Sequence, residues 1–158
     1  MILSLDTNVV IELLRGTAPH YRLRLDEARA AGDRAVISSI VLNELAFGAL
    51  RSARPEFHLQ RINALVSAIE VESWTAEDAM AAARVRMELE REGKGIGAFD
   101  TLIAGQAFNR GWTVVTAKVW EFLRVKGLRL LDWSSPDGVR EYSEEALARQ
   151  FKSGQDQD

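Results

Sequence analysis

The sequence predicts an α/β domain in which helices cover both faces of a mostly parallel sheet of four to five strands. Three observations predict this class. Short apolar runs alternate with longer helical segments along the chain, which is typical of strand–helix repeats. The 158 residues, 47% of them hydrophobic, suffice for one compact domain with a buried core. No internal repeat or low-complexity segment interrupts this order.

The strands are short apolar runs bounded by turn residues. They are predicted at residues 2–5, 34–38, 69–74 and 112–116, with a fifth at 128–133. The helices are predicted at residues 7–14, 20–31, 39–54, 57–68, 75–92 and 98–109. Their ends follow from hydroxyl caps, from glycines after the last turn and from a proline that restricts the residue before it. In chain order, these residues are Gly16, Gly32, Ser38, Pro55, Thr75 and Gly111.

Residues 1–133 are predicted to form this domain, and residues 134–158 a C-terminal tail. Ser143 can cap a short helix in the tail that Gly154 would stop. Such a short helix is marginal alone, and the last five residues are expected to be disordered.

Composition excludes several classes of chemistry. The chain has no cysteine and only two histidines, so disulfides, thiolate metal sites, a histidine zinc site and a Ser-His-Asp triad are disfavoured. No apolar run is long enough for a membrane span and no secretory signal is visible, so a cytoplasmic protein is expected. The net charge is −3, but residues 101–131 carry five basic residues and one acid, which allows a local basic rim.

Three acids lie in apolar surroundings without a basic neighbour at helical spacing. Asp6 is followed by Val9 and Val10, and Glu44 and Asp100 have similarly apolar or small neighbours. A buried carboxylate without a partner is costly, and several close together raise one another's pKa. A divalent cation removes both costs, and Mg²⁺ or Mn²⁺ prefers such oxygen ligands.

Two of these acids also have an ordinary structural explanation. Asp6 can cap a helix, and Asp100 suits the N-terminal turn of one. Glu44 lies in the middle of a predicted helix and has neither role. The three acids belong to successive strand–helix units, and sites in parallel sheets form at the carboxyl ends of the strands, so a shared metal site is the better hypothesis.

Four segments resemble, in order and spacing, the PIN-domain ribonucleases of the VapC toxin type. They are "LDTNVVIELL", "ISSIVLNELAFGA", "GIGAFDTLIAGQAFNRG" and "VVTAKVWEFLRVKGLRLLDW", and the match runs from Met1 to about Trp133. The resemblance implies a three-layer α/β/α fold and Mg²⁺- or Mn²⁺-dependent cleavage of RNA. It also implies a homodimer and a VapB-type antitoxin that blocks the site.

Carried over residue by residue, the resemblance assigns Asp6, Glu44 and Asp100 to the metal and to catalysis. Thr116, also a catalytic candidate, matches the hydroxyl at the end of the next strand, and Asn8 matches the polar residue after the first acid. Where the family usually has Asp or Asn, this chain has Lys118. That departure leaves open whether one or two metal ions bind.

The sequence also leaves the roles of several other residues undecided. Glu121 is a candidate fourth acid, although Lys118 and Arg124 flank it and a surface ion pair explains it equally well. The candidate RNA contacts are Asn8, Lys118, Arg110, Arg124 and Lys126. Trp120 is either a stacking surface for bases or packs against its own helix.

The predicted function is that of a toxin that hydrolyses RNA, with tRNA as one expected target. In the predicted mechanism Asp6 and Asp100 hold the metal, and Glu44 holds it or deprotonates the attacking water. The alternative is a catalytically weak PIN-like module that binds RNA or its antitoxin without efficient cleavage. A haloacid-dehalogenase-type phosphatase needs an acid where Asn8 stands, and the acid pair of a receiver domain is not visible.

Overall fold

The structure, a computed structural model, describes residues 1–144 and residue 146. A single six-stranded sheet forms its centre. The strands are β1 (Ile2–Leu5), β2 (Arg34–Ser38), β3 (Glu70–Glu72), β4 (Thr113–Val115), β5 (Arg129–Asp132) and β6 (Arg140–Tyr142).

Helices flank this sheet, and most connect one strand to the next. They are α1 (Thr7–Arg15), α2 (Pro19–Ala30), α3 (Ser39–Leu50), α4 (Pro55–Val66), α5 (Ala76–Arg91), α6 (Ala98–Arg110) and α7 (Val119–Phe122). The predicted fold class, a mostly parallel sheet between layers of helices, is therefore confirmed.

The strand order is β3-β2-β1-β4-β5-β6. The first five strands are parallel, and β6 runs antiparallel to β5. The chain builds the sheet outward from β1 in one direction through β2 and β3, and then returns to add β4 on the other side of β1. The strand order thus reverses between β1 and β4, and crevices at such reversals are where open α/β sheets bind ligands.

The core lies on both faces of the central strands. Leu5, Val36 and Val114 are fully buried on adjacent strands, and Phe122 and Trp133 are the bulkiest buried side chains near β5. The long helices α5 and α6 pack closely at Gly105, where an added Cβ would lie 2.4 Å from the Cα of Ala82. Glycine at this position therefore sets the distance between the two helices.

Helix α3 ends at Leu50, so it is shorter than the predicted helix, which continued to residue 54. The Ser52 hydroxyl donates a hydrogen bond to the Ala49 carbonyl (2.7 Å) and accepts one from the Arg54 N–H (3.2 Å). This local hydrogen bonding competes with the helix. Pro55 then starts α4, and it keeps Arg54 out of helical geometry.

Two elements were not predicted. The strand β6 is short and polar, so its sequence lacks the apolar alternation of a strand, and α7 is a single turn of helix. Because β6 pairs directly with β5, residues 140–142 extend the sheet past residue 133, where the sequence placed the end of the domain. The division into a domain and a tail stays a prediction. In the tail, Ser143 Oγ accepts a hydrogen bond from the Ala146 N–H at 3.0 Å, as expected of a helix cap. The remainder of the predicted tail helix and the terminal segment lie outside the described residues.

Within residues 1–144 and 146, none of the helices has the length and apolar character needed to cross a membrane.

Candidate active site

Asp6 and Thr116 come directly after the two strands between which the strand order reverses. Their predecessors Leu5 and Val115 are paired partners in β1 and β4, and the Asp6 N–H donates to the Val115 carbonyl at 2.9 Å. Both side chains therefore start from the same edge of the sheet. This edge is the carboxyl end of the parallel strands, where a site was predicted.

The Asp6 carboxylate is held through both of its oxygens. Oδ1 accepts a hydrogen bond from the Thr7 N–H at 2.7 Å, which caps α1. Oδ2 accepts hydrogen bonds from Asn8 Nδ2 at 2.5 Å and from Thr116 Oγ1 at 2.8 Å. Asp6 is thus a helix cap and, at the same time, an acid oriented by two side chains from different parts of the chain.

Burial dominates the electrostatics of Asp6, whose exposed fraction is 0%. Loss of hydration, together with the negative charge of Asp100, raises the pKa of Asp6 to about 6. The hydrogen bond from Thr116 and the positive charge of Lys118 lower the pKa and partly offset this effect. The carboxylate therefore ionises near neutral pH, where a bound cation would stabilise it.

Asp100 lies in the first turn of α6 and is 7% exposed. Lys118 Nζ donates to both of its carboxylate oxygens, at 3.1 and 3.0 Å. The sequence showed no cation near Asp100 because Lys118 is 18 residues away, and only the fold brings the two together. Partial burial lowers the pKa of Lys118. Its hydrogen bonds to Asp100 and the negative charges of nearby acids together have the larger effect, so the pKa is raised.

Glu44 joins this group indirectly. Its Oε2 accepts a hydrogen bond from Thr7 Oγ1 at 2.5 Å, and the Thr7 N–H in turn contacts Asp6. Among the residues that the structure describes, no three His, Asp or Glu side chains form a complete metal-binding group. The charges of Asp6 and Asp100 thus interact directly, whereas Glu44 is linked to Asp6 only through Thr7.

The other predicted site residues are placed differently from one another. Asn8 is anchored, because its Oδ1 accepts a hydrogen bond from the Ala117 N–H at 3.2 Å while its Nδ2 contacts Asp6. Glu121 lies on α7, half-buried, and its charge acts on Lys118. Arg124 is exposed and donates to the Gly95 carbonyl at 3.0 Å.

Arg110 is not part of this cluster. It is the last residue of α6, ten residues after Asp100, which corresponds to about 15 Å along a helix. Its guanidinium binds the buried carboxylate of Asp78 (2.7 Å) and that of Glu72 (2.9 Å). These contacts indicate a structural ion-pair network, so the structure lends no support to Arg110 as an RNA contact.

Sequence reasoning missed two residues of the site. Thr7 links Glu44 to the segment that carries Asp6, and Gly97 leaves space for Asp100, because a Cβ at Gly97 would lie 2.7 Å from Asp100 Oδ2. The available signals were the hydroxyl directly after the first acid and the glycine three residues before the third.

Comparison with known proteins identifies the family of the chain. The sequence profile of the PIN domain matches residues 3–128. The chain is 38% identical over 129 residues to the tRNA(fMet)-specific endonuclease VapC of Salmonella typhimurium, covering 82% of this chain and 96% of that protein. It is 40% identical over 130 residues to the protein of the same name from Shigella flexneri, again covering 82% and 96% of the two chains.

Solved structures show the same similarity. VapBC2 from Rickettsia felis, bound to a DNA fragment from its promoter, matches with a TM-score of 0.80 and 32% identity, covering 85% of this chain and all of that one. DNA-bound VapBC from Salmonella typhimurium matches with a TM-score of 0.78 and 37% identity, covering 84% and 98%. The chain therefore belongs to the PIN-domain family and, within it, to the VapC type.

Proposed function

We propose that this protein is a metal-dependent endoribonuclease that acts as the toxin of a toxin–antitoxin pair. The observation that carries the proposal is the buried, hydrogen-bonded Asp6 carboxylate, which faces the charge of Asp100 where the strand order reverses. The VapC-type relatives, which are named as ribonucleases and endonucleases, support the same reaction.

The residues present fit a divalent metal ion. Asp6 is buried and its pKa is raised by burial and by a neighbouring acid, so a cation would lower the free energy of its ionised form. Asp6 and Asp100 offer only oxygen ligands, which suit Mg²⁺ or Mn²⁺. These two residues would hold the ion, with Glu44 reaching it directly or through water. PIN-domain ribonucleases generally depend on a divalent metal, in agreement with this fit.

The metal ion would polarise the scissile phosphate and lower the pKa of a bound water. The side chains of the chain itself provide orientation and proton transfer. Asn8 and Thr116 fix Asp6 Oδ2, and Thr7 fixes Glu44. Glu44 would accept the proton of the attacking water as the water oxygen bonds to phosphorus. The bond to the leaving ribose oxygen breaks in the same step, and that oxygen would take up a proton from solvent.

RNA would approach along the exposed surface next to Lys118. Trp120 is 77% exposed and shares an open groove with Lys94, Arg124 and Lys126. An exposed indole beside cationic groups suits stacked bases and phosphates of single-stranded RNA. Because the relatives from Salmonella typhimurium and Shigella flexneri are named as tRNA(fMet)-specific, tRNA is the first substrate to test.

The partner would be a VapB-type antitoxin, as in the solved VapBC assemblies. A groove of about 330 Å³ between α1, α3 and α4 is lined by apolar side chains such as Ile11 and Ile62, and Glu44 lies on it. An antitoxin segment with apolar anchors would fit there and cover the site. Gly48 also lines the groove and has no atom within 4 Å of an added Cβ, so Gly48→Gln should weaken antitoxin binding without unfolding the protein. We also propose that the protein forms a homodimer and lies in the cytoplasm.

Purified protein incubated with tRNA, with and without Mn²⁺, tests the reaction. Cleavage should require Mn²⁺ and should fall at least about a hundredfold in Asp6→Asn and Asp100→Asn, because each removes a charged oxygen ligand. Glu90→Gln is the matched control, since Glu90 is an exposed acid that pairs with Arg86 on the surface. Cleavage that persists in both site variants would overturn the proposal.

One observation favours the second candidate, a module that binds RNA or its antitoxin without efficient cleavage. Lys118 neutralises Asp100 in a position where the resemblance leads us to expect Asp or Asn. RNA binding that survives Asp6→Asn and Asp100→Asn, in the absence of any Mn²⁺-dependent cleavage by the wild type, would support this module over the nuclease.

A further inference from the structure

We propose that Lys118 is the resident counter-cation of Asp100 and takes the place of a second metal ion, so that the site binds a single divalent ion. The first part concerns the side chains alone. The second part rests on the metal-dependent function proposed above.

The contact between the two side chains is specific. Lys118 Nζ lies 3.1 Å from one Asp100 oxygen and 3.0 Å from the other, so the ammonium bridges the carboxylate. Asp100 is 9% exposed at its side chain, whereas Lys118 is 43% exposed. The lysine therefore brings a positive charge from the solvent side onto a nearly buried acid.

The backbone holds Lys118 in this position. Its N–H donates to Thr116 Oγ1 at 2.9 Å, and that hydroxyl donates to Asp6 Oδ2 at 2.8 Å. The residue that orients Asp6 thus also fixes the start of the segment that carries Lys118. Residues 116–118 thus contact both Asp6 and Asp100.

The charges around Asp100 explain why a second ion is not needed. Besides Asp100, the negative charges of Asp6 and Glu121 also raise the pKa of Lys118, so its positive charge interacts with all three acids. An ion bound by Asp6 and Asp100 would still find free lone pairs on Asp100, because a carboxylate oxygen accepts more than one contact. A second divalent ion on the same side would meet the positive charge of Lys118 at close range.

Lysines elsewhere offer a matched comparison. Lys126 also pairs with an acid, Glu92, but both side chains are exposed at the surface. Removal of its charge should therefore change neither metal binding nor stability appreciably, since exposed ion pairs contribute little. Lys126→Met is accordingly the control for Lys118→Met.

The test combines thermal melting in EDTA with Mn²⁺ titration of the full-length protein, followed by calorimetry. Wild type should bind one Mn²⁺ per chain. Lys118→Met should melt at a lower temperature than wild type in EDTA and should bind one Mn²⁺ about tenfold more tightly, because one repelling charge is gone. Lys118→Asp should bind two Mn²⁺ ions. Lys126→Met should match wild type in melting temperature and in Mn²⁺ binding.

Other outcomes separate the two proposals. If Lys118→Met melts like wild type in EDTA and binds Mn²⁺ with unchanged affinity, or if wild type binds two ions that both require Asp6 and Asp100, Lys118 does not act as a counter-cation. If Lys118→Met loses stability in EDTA but Mn²⁺ binding to wild type is absent, or is unaffected by Asp6→Asn, the counter-cation is supported and the metal-dependent function fails.

Discussion

Thr116 donates its hydroxyl hydrogen to Asp6 Oδ2 at 2.8 Å, although the two residues are 110 positions apart in the chain. They meet because β1 and β4 are neighbours in the sheet and each residue follows the last residue of its strand. The contact stabilises the ionised form of an acid that burial would otherwise keep protonated. It therefore ties the fold directly to the chemistry of the site.

Replacing this hydroxyl should weaken catalysis. Thr116→Val keeps the shape of the side chain but removes the hydrogen bond, so the pKa of Asp6 should rise above about 6 and less of the acid should be ionised at neutral pH. A hydrogen bond to a charged group contributes about 1.5–3 kcal/mol, or roughly one to two pKa units, so cleavage near pH 7 should fall about two- to fifteenfold. The pH at which half-maximal activity is reached should also move upward. Thr116→Ser, which keeps the hydroxyl, should restore both values, and a Thr116→Val enzyme with the wild-type pH profile would contradict this role.

The ionisation of Asp6 should make the metal-free protein less stable as pH rises. Because burial raises its pKa from 3.8 to about 6, the folded state retains a proton between these values that the unfolded state has released. Rising pH through this window therefore favours unfolding, and the free energy of unfolding should fall by roughly 3 kcal/mol in total.

Urea denaturation in EDTA at several pH values between 4 and 7 measures this effect. Asp6→Asn, which cannot ionise, is the reference that removes the contributions of all other carboxylates. The difference between wild type and Asp6→Asn should change across the window, and saturating Mn²⁺ should reverse the loss for wild type. A difference that stays constant from pH 4 to pH 7 would show that Asp6 is not perturbed by burial.

The space at Gly97 should be required for the position of Asp100. In Gly97→Ala the new Cβ would lie 2.7 Å from Asp100 Oδ2, which forces the carboxylate out of its present position. We expect Mn²⁺ binding to weaken and RNA cleavage to fall, each by about tenfold or more. Gly95→Ala is the control, because an added Cβ there meets no atom within 4 Å. Equal Mn²⁺ affinity in the two variants would argue against this constraint.

Arg110 should matter for stability, whereas Arg124 should matter for RNA binding. Asp78 is completely buried, and its hydrogen bonds from Arg110, with those of neighbouring groups, outweigh the effect of burial and hold its pKa well below its usual range. Arg110→Met would leave this buried charge without its cation, so the free energy of unfolding should fall by about 3 kcal/mol or more. RNA binding by the remaining folded protein should not change.

Arg124→Met provides the opposite case. Arg124 is exposed and makes one hydrogen bond to a backbone carbonyl, so its loss should change the free energy of unfolding by less than about 0.5 kcal/mol. The affinity for single-stranded RNA should weaken and depend less on salt, because a phosphate contact would be lost. Weaker RNA binding by Arg110→Met, measured on fully folded protein, would show that Arg110 does contribute to RNA binding.

The sequence by itself determined the fold class and the residues worth testing. Alternating apolar runs and capped helices predicted five strands of the sheet, and three acids without local cations pointed to one edge of it. These features are readable because hydrophobic periodicity and capping act over a few residues. Polar β6 escaped notice for the same reason, since its place comes from pairing with β5 and not from its own pattern.

Only the tertiary structure decided which charges face each other. Asp100 had no cation within helical reach in the sequence, yet the return of the chain from α6 through β4 places Lys118 against it. Likewise, Arg110 belongs to Asp78, and Glu44 reaches Asp6 only by way of Thr7. Such pairings depend on distances of a few ångströms between segments far apart in the chain, and the spacing of residues along one segment does not contain them.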